Sequence, residues 1–507
     1  MKYLNNSNYK NTKTLGYFLI WNVNPNLYSR YNPKSWVIES LPHIRKLTQE
    51  KMKQMKFKNL IFICIFLLNT SITNGQEQLT EIDSLYLASI DNFYKNAENT
   101  KSEIWKGMKL APVCLYRVNG PALLYNHPNP PENFKKVTEK LYIGEQKDLQ
   151  LFGATQMEIN GTLTAIVNYG LIHYSCIEEV YAELFHELHH VYQRNFIKQI
   201  GFDNPAILLT YPEKYINDGI KLFEQKTLYK MCFEQDSNSF QKLLNQFYSC
   251  RLKREQTIGD FLRYEETVEN MEGPAFYCEY KFYNQFASFN EVLKDNYNQK
   301  HFFGILTNTF YGRKSLRHRH LAAGMAMCFI LNKHFDNWQS EYYSEDLSLY
   351  DFFISKFKPQ KEELEIDSMY YDISKFHTLQ EVLEHKVSFN KFNTQQGIRI
   401  ILEFNQNPQF KGFDPMHAES INDSTILHKT LLNLSGGEND KLFVINRNAV
   451  TIIDEEIWFV KKVILFAPEE SIIIKNNRIV VDIDGGNVSW AGKLKMKTEN
   501  EIIFICE

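Results

Sequence analysis

Along this chain the spacing of apolar positions changes three times, and each change predicts a different kind of element. From Leu79 to Glu98 the apolar residues Leu79, Ile82, Leu85, Leu87, Ile90 and Phe93 form one side of a helix. Trp105 to Tyr169 breaks into short runs, Val113 to Val118, Leu123 to Tyr125 and the β-branched Thr162-Leu-Thr-Ala-Ile-Val167. Pro112, Gly120-Pro121 and His127-Pro-Asn-Pro-Pro131 punctuate them, which predicts a small sheet. From Cys176 to about Phe357 the spacing is helical again. Ile177, Val180, Tyr181, Leu184, Leu188 and Val191 recur without an intervening Pro or Gly, so 177–193 reads as one amphipathic, largely buried helix. Helices are also expected over 215–233, 239–256, 258–285, 288–298 and 320–335, separated at Gly201, Pro205, Pro212 and Gly312, with Trp338 and Leu347 to Phe357 closing the region.

Beyond about Phe376 the period becomes two. Ile398 to Phe404, Thr425 to Leu432, Leu442 to Ile445, Val450 to Ile453, Ile457 to Val460, Ser471 to Ile474, Ile479 to Ile483 and Ile502 to Ile505 read as strands, with Ser435-Gly-Gly437 and Asp484-Gly-Gly486 as turns and Gly412-Phe-Asp-Pro-Met416 as a docking turn. The expectation is an α+β chain. A helix and small sheet (76–170) lead into a mostly helical domain (171–375), and an all-β sandwich (376–507) follows.

Lys51-Met-Lys-Gln-Met-Lys-Phe-Lys58 precedes the apolar run Leu60 to Leu68 and the polar Asn69-Thr-Ser-Ile-Thr-Asn-Gly75. A basic segment, a short apolar run and a polar exit are the plan of a secretory signal peptide, here over 52–75, and the run is too short for a permanent membrane span. Its internal position is explained if translation starts at Met52 or Met55, residues 1–51 being upstream sequence; an uncleaved internal anchor is the alternative. Cys64 has no small residues before it, so no lipoprotein site is expected. The seven cysteines after this segment are odd in number and show no C-x-x-C pair, so neither a disulfide framework nor a thiolate metal site is indicated.

Apolar residues make up 44% of the chain and charged residues 23%, as in ordinary globular proteins, and the high aromatic share of 14% points to large cores. A formal net charge of −3 favours neither nucleic acid nor an anionic membrane as partner.

The 177–193 helix carries the candidate chemistry. His186 and His190 are one turn apart on one face, close enough to bind a single tetrahedral ion, and Glu187 projects beside them. This is the H-E-x-x-H arrangement of zinc hydrolases, set among apolar Leu184, Phe185, Leu188 and Val191. His189 faces elsewhere. A catalytic zinc needs a third protein ligand and an open position. Position 210 is Thr and Glu213 follows Pro212, so a glutamate at short spacing is not available. Phe261 to Tyr280 offers Glu265, Glu269 and Glu272 on one helical face, and the glycine of Glu272-Gly-Pro-Ala allows close backbone approach. A solvated acidic face is the competing reading of that row.

His186-Glu-Leu-His-His190 with Tyr192-Gln193, followed by Glu269-Asn-Met-Glu-Gly-Pro-Ala-Phe-Tyr277, resembles the gluzincin metallopeptidases, in which a helix carrying E-G-x-A supplies a glutamate ligand, as in zinc aminopeptidases. The resemblance covers roughly residues 100 to 357. It implies Zn²⁺ held by His186, His190 and Glu272, Glu269 orienting one imidazole through its other ring nitrogen, and Glu187 as general base. The spacing to Glu272 is longer than in the aminopeptidases, and Met271 stands where they have Asn. Such enzymes stabilise the oxyanion with a Tyr or His. In Arg313-Lys-Ser-Leu-Arg-His-Arg-His320, His320 is the first candidate, with Arg319 and Tyr277 as alternatives and an exposed basic turn as the competing reading. The expected protein is thus a secreted or periplasmic zinc peptidase acting on peptide or protein substrates. A non-catalytic secreted protein binding peptide or glycan, and a purely structural metal site, are the readings it competes with.

Overall fold

The computed structural model describes residues 79–507 apart from 150, 152, 172–173, 197–206, 208–210, 213, 309–312, 415–416, 423 and 455. The expected upstream extension (1–51) and signal peptide (52–75) lie outside the described residues. No helix among the described residues is long and apolar enough to cross a membrane. The described chain falls into two compact units, 79–195 with Cys278–Phe289, and 196–277 with Asn290–Glu507.

In the first unit α1 (Glu81–Ile104) starts at a capping box. The Asp83 N–H donates to Thr80 Oγ1 and the Thr80 N–H to Asp83 Oδ2 at 2.8 Å, satisfying two donors that an open helix end leaves bare. Asp83 also accepts from Arg117 Nε (3.0 Å) and from the Tyr169 hydroxyl (2.7 Å), so one carboxylate ties the helix to the sheet. Burial alone would raise its pKa, but Arg117, Tyr169 and Thr80 outweigh it and lower it to about 2.

The sheet comprises β1 (Val113–Tyr116), β2 (Pro121–Tyr125), β3 (Lys135–Lys136), β4 (Leu141–Glu145), β5 (Thr155–Ile159) and β6 (Thr162–Asn168) in the order β3-β4-β2-β1-β6-β5. Only the β1–β6 pair is parallel, with Val113 opposite Ala165. Helix α2 (Ile177–Gln193) packs on β6. Tyr181 stacks on Phe93 of α1 at 4.6 Å, and Phe185 stacks on Phe282 at 4.5 Å. Such ring pairs contribute roughly 0.5–1.5 kcal/mol each beyond the area they bury. The α2 backbone is thereby held on two sides, and its remaining face carries the polar residues.

The second unit contains α3 (Tyr215–Phe233), α4 (Ser237–Ile258), the part of α5 (Phe261–Phe286) before Cys278, α6 (Arg313–His334), α7 (Leu349–Phe357) and α8 (Ser368–Asn393). The close approach expected at the Glu272-Gly-Pro-Ala segment is present. A Cβ on Gly273 would stand 2.5 Å from Gly324 Cα, and one on Gly324 would stand 2.5 Å from the Glu269 carbonyl, so α5 and α6 touch backbone to backbone.

The unit continues into β7 (Ile398–Phe404), β8 (Gln409–Phe413), β9 (Ala418–Asn422), β10 (Thr425–His428), β11 (Leu431–Ser435), β12 (Lys441–Ile445), β13 (Ala449–Asp454), β14 (Glu456–Ala467), β15 (Ile472–Lys475), β16 (Arg478–Ile483), β17 (Gly486–Lys497) and β18 (Glu501–Cys506). They form one twelve-stranded array, β8-β11-β12-β17-β18-β7-β14-β13-β10-β9, with β15 and β16 branching from β17. Ile400, Leu402, Leu432, Leu442, Val488, Trp490 and Phe504 belong to one core, as expected where a highly curved sheet closes on itself like a sandwich or barrel. The neighbouring Ile401, with Leu427, Val450 and Ile464, packs instead against Phe392 of α8.

Three local expectations change. The β region does not begin near 376, because α8 runs through that position to Asn393 and the first strand starts at Ile398. Thr425 to Leu432 is two strands rather than one. Gln409–Phe413, whose end was read as a turn, is an edge strand paired with β11.

Candidate metal centre

On α2 the apolar residues Val180, Leu184 and Leu188 are fully enclosed, and His186, Glu187 and His190 are 3%, 2% and 9% exposed. The cluster therefore sits inside a packed helix environment. One ligand atom from each of the three lies within 4.8 Å of the others, the only such group of three or more His, Cys, Asp or Glu among the described residues. The α+β fold together with this His-Glu-His group defines a protein with a candidate metal site on a buried helix.

The hydrogen bonds behind the two imidazoles decide what the site can hold. His186 Nδ1 donates to Glu279 Oε2 at 3.0 Å, and His190 Nδ1 donates to Gln193 Oε1 at 2.7 Å. A neutral imidazole that donates from Nδ1 carries a bare lone pair on Nε2. Both Nε2 atoms are then acceptors, yet they face each other at 2.9 Å. Two lone pairs at that distance repel unless a proton shared as an N–H···N bond or a metal cation joins them. Ligand nitrogens on a tetrahedral zinc, with bonds of about 2.0–2.1 Å, are about 3.3 Å apart, so the observed spacing fits a shared divalent ion after a small relaxation. The donor set of two imidazoles and a nearby carboxylate suits zinc and other borderline divalent metals, and fixes no single one.

Glu279 was missed from sequence, as was the role of Gln193. Both carry a signal in hindsight. Glu279 lies seven residues after Glu272, two turns along the glutamate row of α5, and Gln193 lies three residues after His190, one turn along α2. A carboxylate behind a ligand imidazole fixes its tautomer and raises its basicity. Glu279→Ala is therefore expected to weaken metal binding about 10–100-fold, as removal of such partners does. Competition with a chelating dye measures it, and unchanged affinity would mean Glu279 does not set the His186 ring. Glu183, one turn before Glu187 on α2, accepts from the Tyr174 hydroxyl, and burial first, then Glu183, raises the Tyr174 pKa well above its usual value, so this phenol stays protonated.

His189 behaves as a core residue. It is fully buried with its ring edge-on to Trp105 at 4.6 Å, and neither ring nitrogen has a hydrogen-bond partner among the described residues. Burial holds its pKa well below the usual histidine value, so the ring is neutral.

The other residues singled out from sequence belong to the second unit and are engaged there. Glu272 accepts from Arg317 Nη2 at 2.8 Å, both side chains being buried. Glu269, expected to orient an imidazole of the site, is bound by Arg251 (Nη1 to Oε2, 3.0 Å) and by His320 Nδ1 (2.7 Å); the orienting positions on His186 and His190 are taken by Glu279 and Gln193. His320 is fully buried, and its Nε2 stands 3.3 Å from Glu265 Oε2, so it lies between two carboxylates rather than on an exposed basic turn. Tyr277 is buried against Trp338, ring centroids 6.2 Å apart. Arg319 Nε donates to Gln225 Oε1 at 3.0 Å.

Of these, Glu269 and His320 belong to one enclosed ionic cluster. Arg251 Nε donates to Glu224 (2.7 Å), Arg254 Nη1 to Glu224 (3.0 Å), and Arg254 Nη2 to Glu265. Lys221 Nζ stands 3.0 Å from Glu265 and donates to the Tyr211 hydroxyl at 2.8 Å. Burial pushes the Glu265 pKa up, but Arg254, His320 and Lys221 more than reverse that and hold it well below the carboxylate range. The competing reading of a solvated acidic face does not hold: Glu265, Glu269 and Glu272 are all buried, and Glu265 and Glu269 neutralise buried arginines.

No family model, curated protein or solved structure matches this chain. The site therefore stands on its own geometry.

Proposed function

We propose that this protein is a zinc-dependent peptidase that acts after export from the cytoplasm. The observation that carries the reading is the pair of Nε2 lone pairs of His186 and His190 converging at 2.9 Å, with the Glu187 carboxylate in the same cluster. In the reading, His186 and His190 hold the ion, with Glu187 in the same cluster. When bound, the ion would act as a Lewis acid on the scissile carbonyl and make water acidic near neutral pH. Glu187 takes the proton from the attacking water and returns it to the leaving amine, which needs a carboxylate held beside the reacting atoms. Glu279 and Gln193 keep both Nδ1 atoms protonated, so each Nε2 is presented to the metal in one tautomer. The enclosed position of the trio excludes competing water and strengthens its electrostatics. The export step rests on the signal-like 52–75 segment.

The test is metal content and its consequence. Purified protein is expected to carry one divalent ion per chain and to cleave a mixed peptide library, with cleavage lost on chelation and restored by zinc. A chain that holds no ion, or whose cleavage survives chelation, would defeat the reading and favour a binding protein.

A further inference from the structure

Helix α8 presents two faces of opposite character. Ser374, His385 and Phe392 are buried. Tyr370 packs 5.4 Å from Phe223 and 5.2 Å from Lys226 Nζ of α3, and Phe392 meets Phe466 of β14 edge-on at 5.3 Å. These contacts fasten the helix along one side. On the other side Met369, Phe376, Leu379, Leu383 and Val387 are all exposed, Phe376 to 64% and Leu383 to 61%. At about 100° per residue the five fall within an arc of about 80°, and they extend about 27 Å along the axis at about 1.5 Å per residue. Single exposed apolar residues are ordinary, but a continuous stripe on a helix already secured elsewhere marks a docking surface.

Charges set into the stripe identify what covers it. Asp372 and Lys386 are both exposed, seven residues before and seven after Leu379, so the three share one line on the helix. If two copies of α8 pair antiparallel with the two-fold axis at Leu379, each Asp372 meets the partner's Lys386, and both pairs form at once. A parallel pairing would set Asp372 against the partner's Asp372 and Lys386 against the partner's Lys386. The opposite charges are thus placed for self-recognition in one direction only. An anionic membrane is a poorer occupant, because Asp372 and Glu384 offset Lys375 and Lys386 around the stripe and leave no basic excess.

We propose that α8 is the interface of a two-fold symmetric homodimer, two copies packing antiparallel through Phe376, Leu379, Leu383 and Val387. A closed two-fold contact uses the same patch twice, which a self-complementary stripe provides. A single helix pair lies at the small end of specific interfaces, so the dimer is expected to dissociate in the micromolar range.

Sedimentation velocity on the full chain tests this between about 0.1 and about 100 µM, a range that brackets the dissociation expected of a small interface. The wild type is expected to pass from monomer to dimer, and Leu379→Glu to remain monomeric with unchanged far-ultraviolet circular dichroism. Asp372→Lys and Lys386→Asp alone are each expected to weaken association about tenfold, through two lost attractions and two new repulsions, and the double charge exchange to restore it. Rescue by the double variant is a readout that misfolding cannot imitate. A wild type monomeric throughout, a dimer indifferent to Leu379→Glu and to the charge variants, or a monomer that floats with phosphatidylcholine vesicles would each overturn the proposal.

Discussion

Glu187→Gln is expected to lower peptide hydrolysis by about 10²–10⁴-fold, the span that a positioned general base contributes, while the metal content stays equal to that of the wild type. The two effects separate because Glu187 and the histidines do different work. His186 and His190 hold the ion through Nε2 atoms whose tautomers are set from behind by Glu279 and Gln193, and none of those bonds involves Glu187. Glutamine keeps the volume of the side chain in a place only 2% exposed, so the helix packing around Val180 and Leu184 is preserved. What it removes is the ability to accept a proton. Initial rates on a quenched-fluorescence peptide library, with metal measured by mass spectrometry on the same samples, give both quantities. Undiminished hydrolysis at equal metal content would remove Glu187 from the chemistry, and loss of metal together with rate would make it a ligand instead of a base.

The parts of this molecule that could be read from its sequence are those governed by local periodicity. Ile177–Gln193 and Tyr215–Phe233 have the bounds that apolar spacing alone predicts, because each buries a continuous stripe, which in the second prevails over the turn-favouring Asn217-Asp218-Gly219. The metal pair was legible for the same reason, since an i, i+4 relation on one helix is a local fact. The partners of the site were not. Glu265, Glu269, Glu272 and Glu279 follow one another on a single helix and have similar flanks, yet two neutralise arginines in a buried cluster, one is held by Arg317 and one supports His186. Which glutamate does which depends on the cations that other helices bring, and nothing in the spacing encodes that. The start of the β region was misplaced because α8 carries apolar residues on both its packed side (Tyr370, Phe392) and its exposed side (Phe376, Leu379, Leu383), so no single apolar face separates it from the strands that follow.

The ionic cluster of the helical unit yields the largest stability effect. Arg251 is 1% exposed and bridges two carboxylates, Glu224 at 2.7 Å and Glu269, while its guanidinium also lies 5.4 Å from the Phe247 ring and 5.0 Å from the Tyr350 ring. Removing it leaves two buried carboxylates short of a cation in a medium that cannot solvate them. Arg251→Met is therefore expected to lower the unfolding free energy by about 3–5 kcal/mol, the loss seen when one partner of a buried pair is deleted, even though Met fills much of the space. The converse substitution distinguishes charge from packing. Arg251→Met combined with Glu269→Gln takes away one stranded charge with the cation and is expected to recover part of the loss, although His320 then loses the carboxylate at its Nδ1. Urea unfolding followed by circular dichroism supplies the comparison. A loss under about 1 kcal/mol in the single variant would mean that water reaches the cluster, because that is the range of solvent-exposed ion pairs.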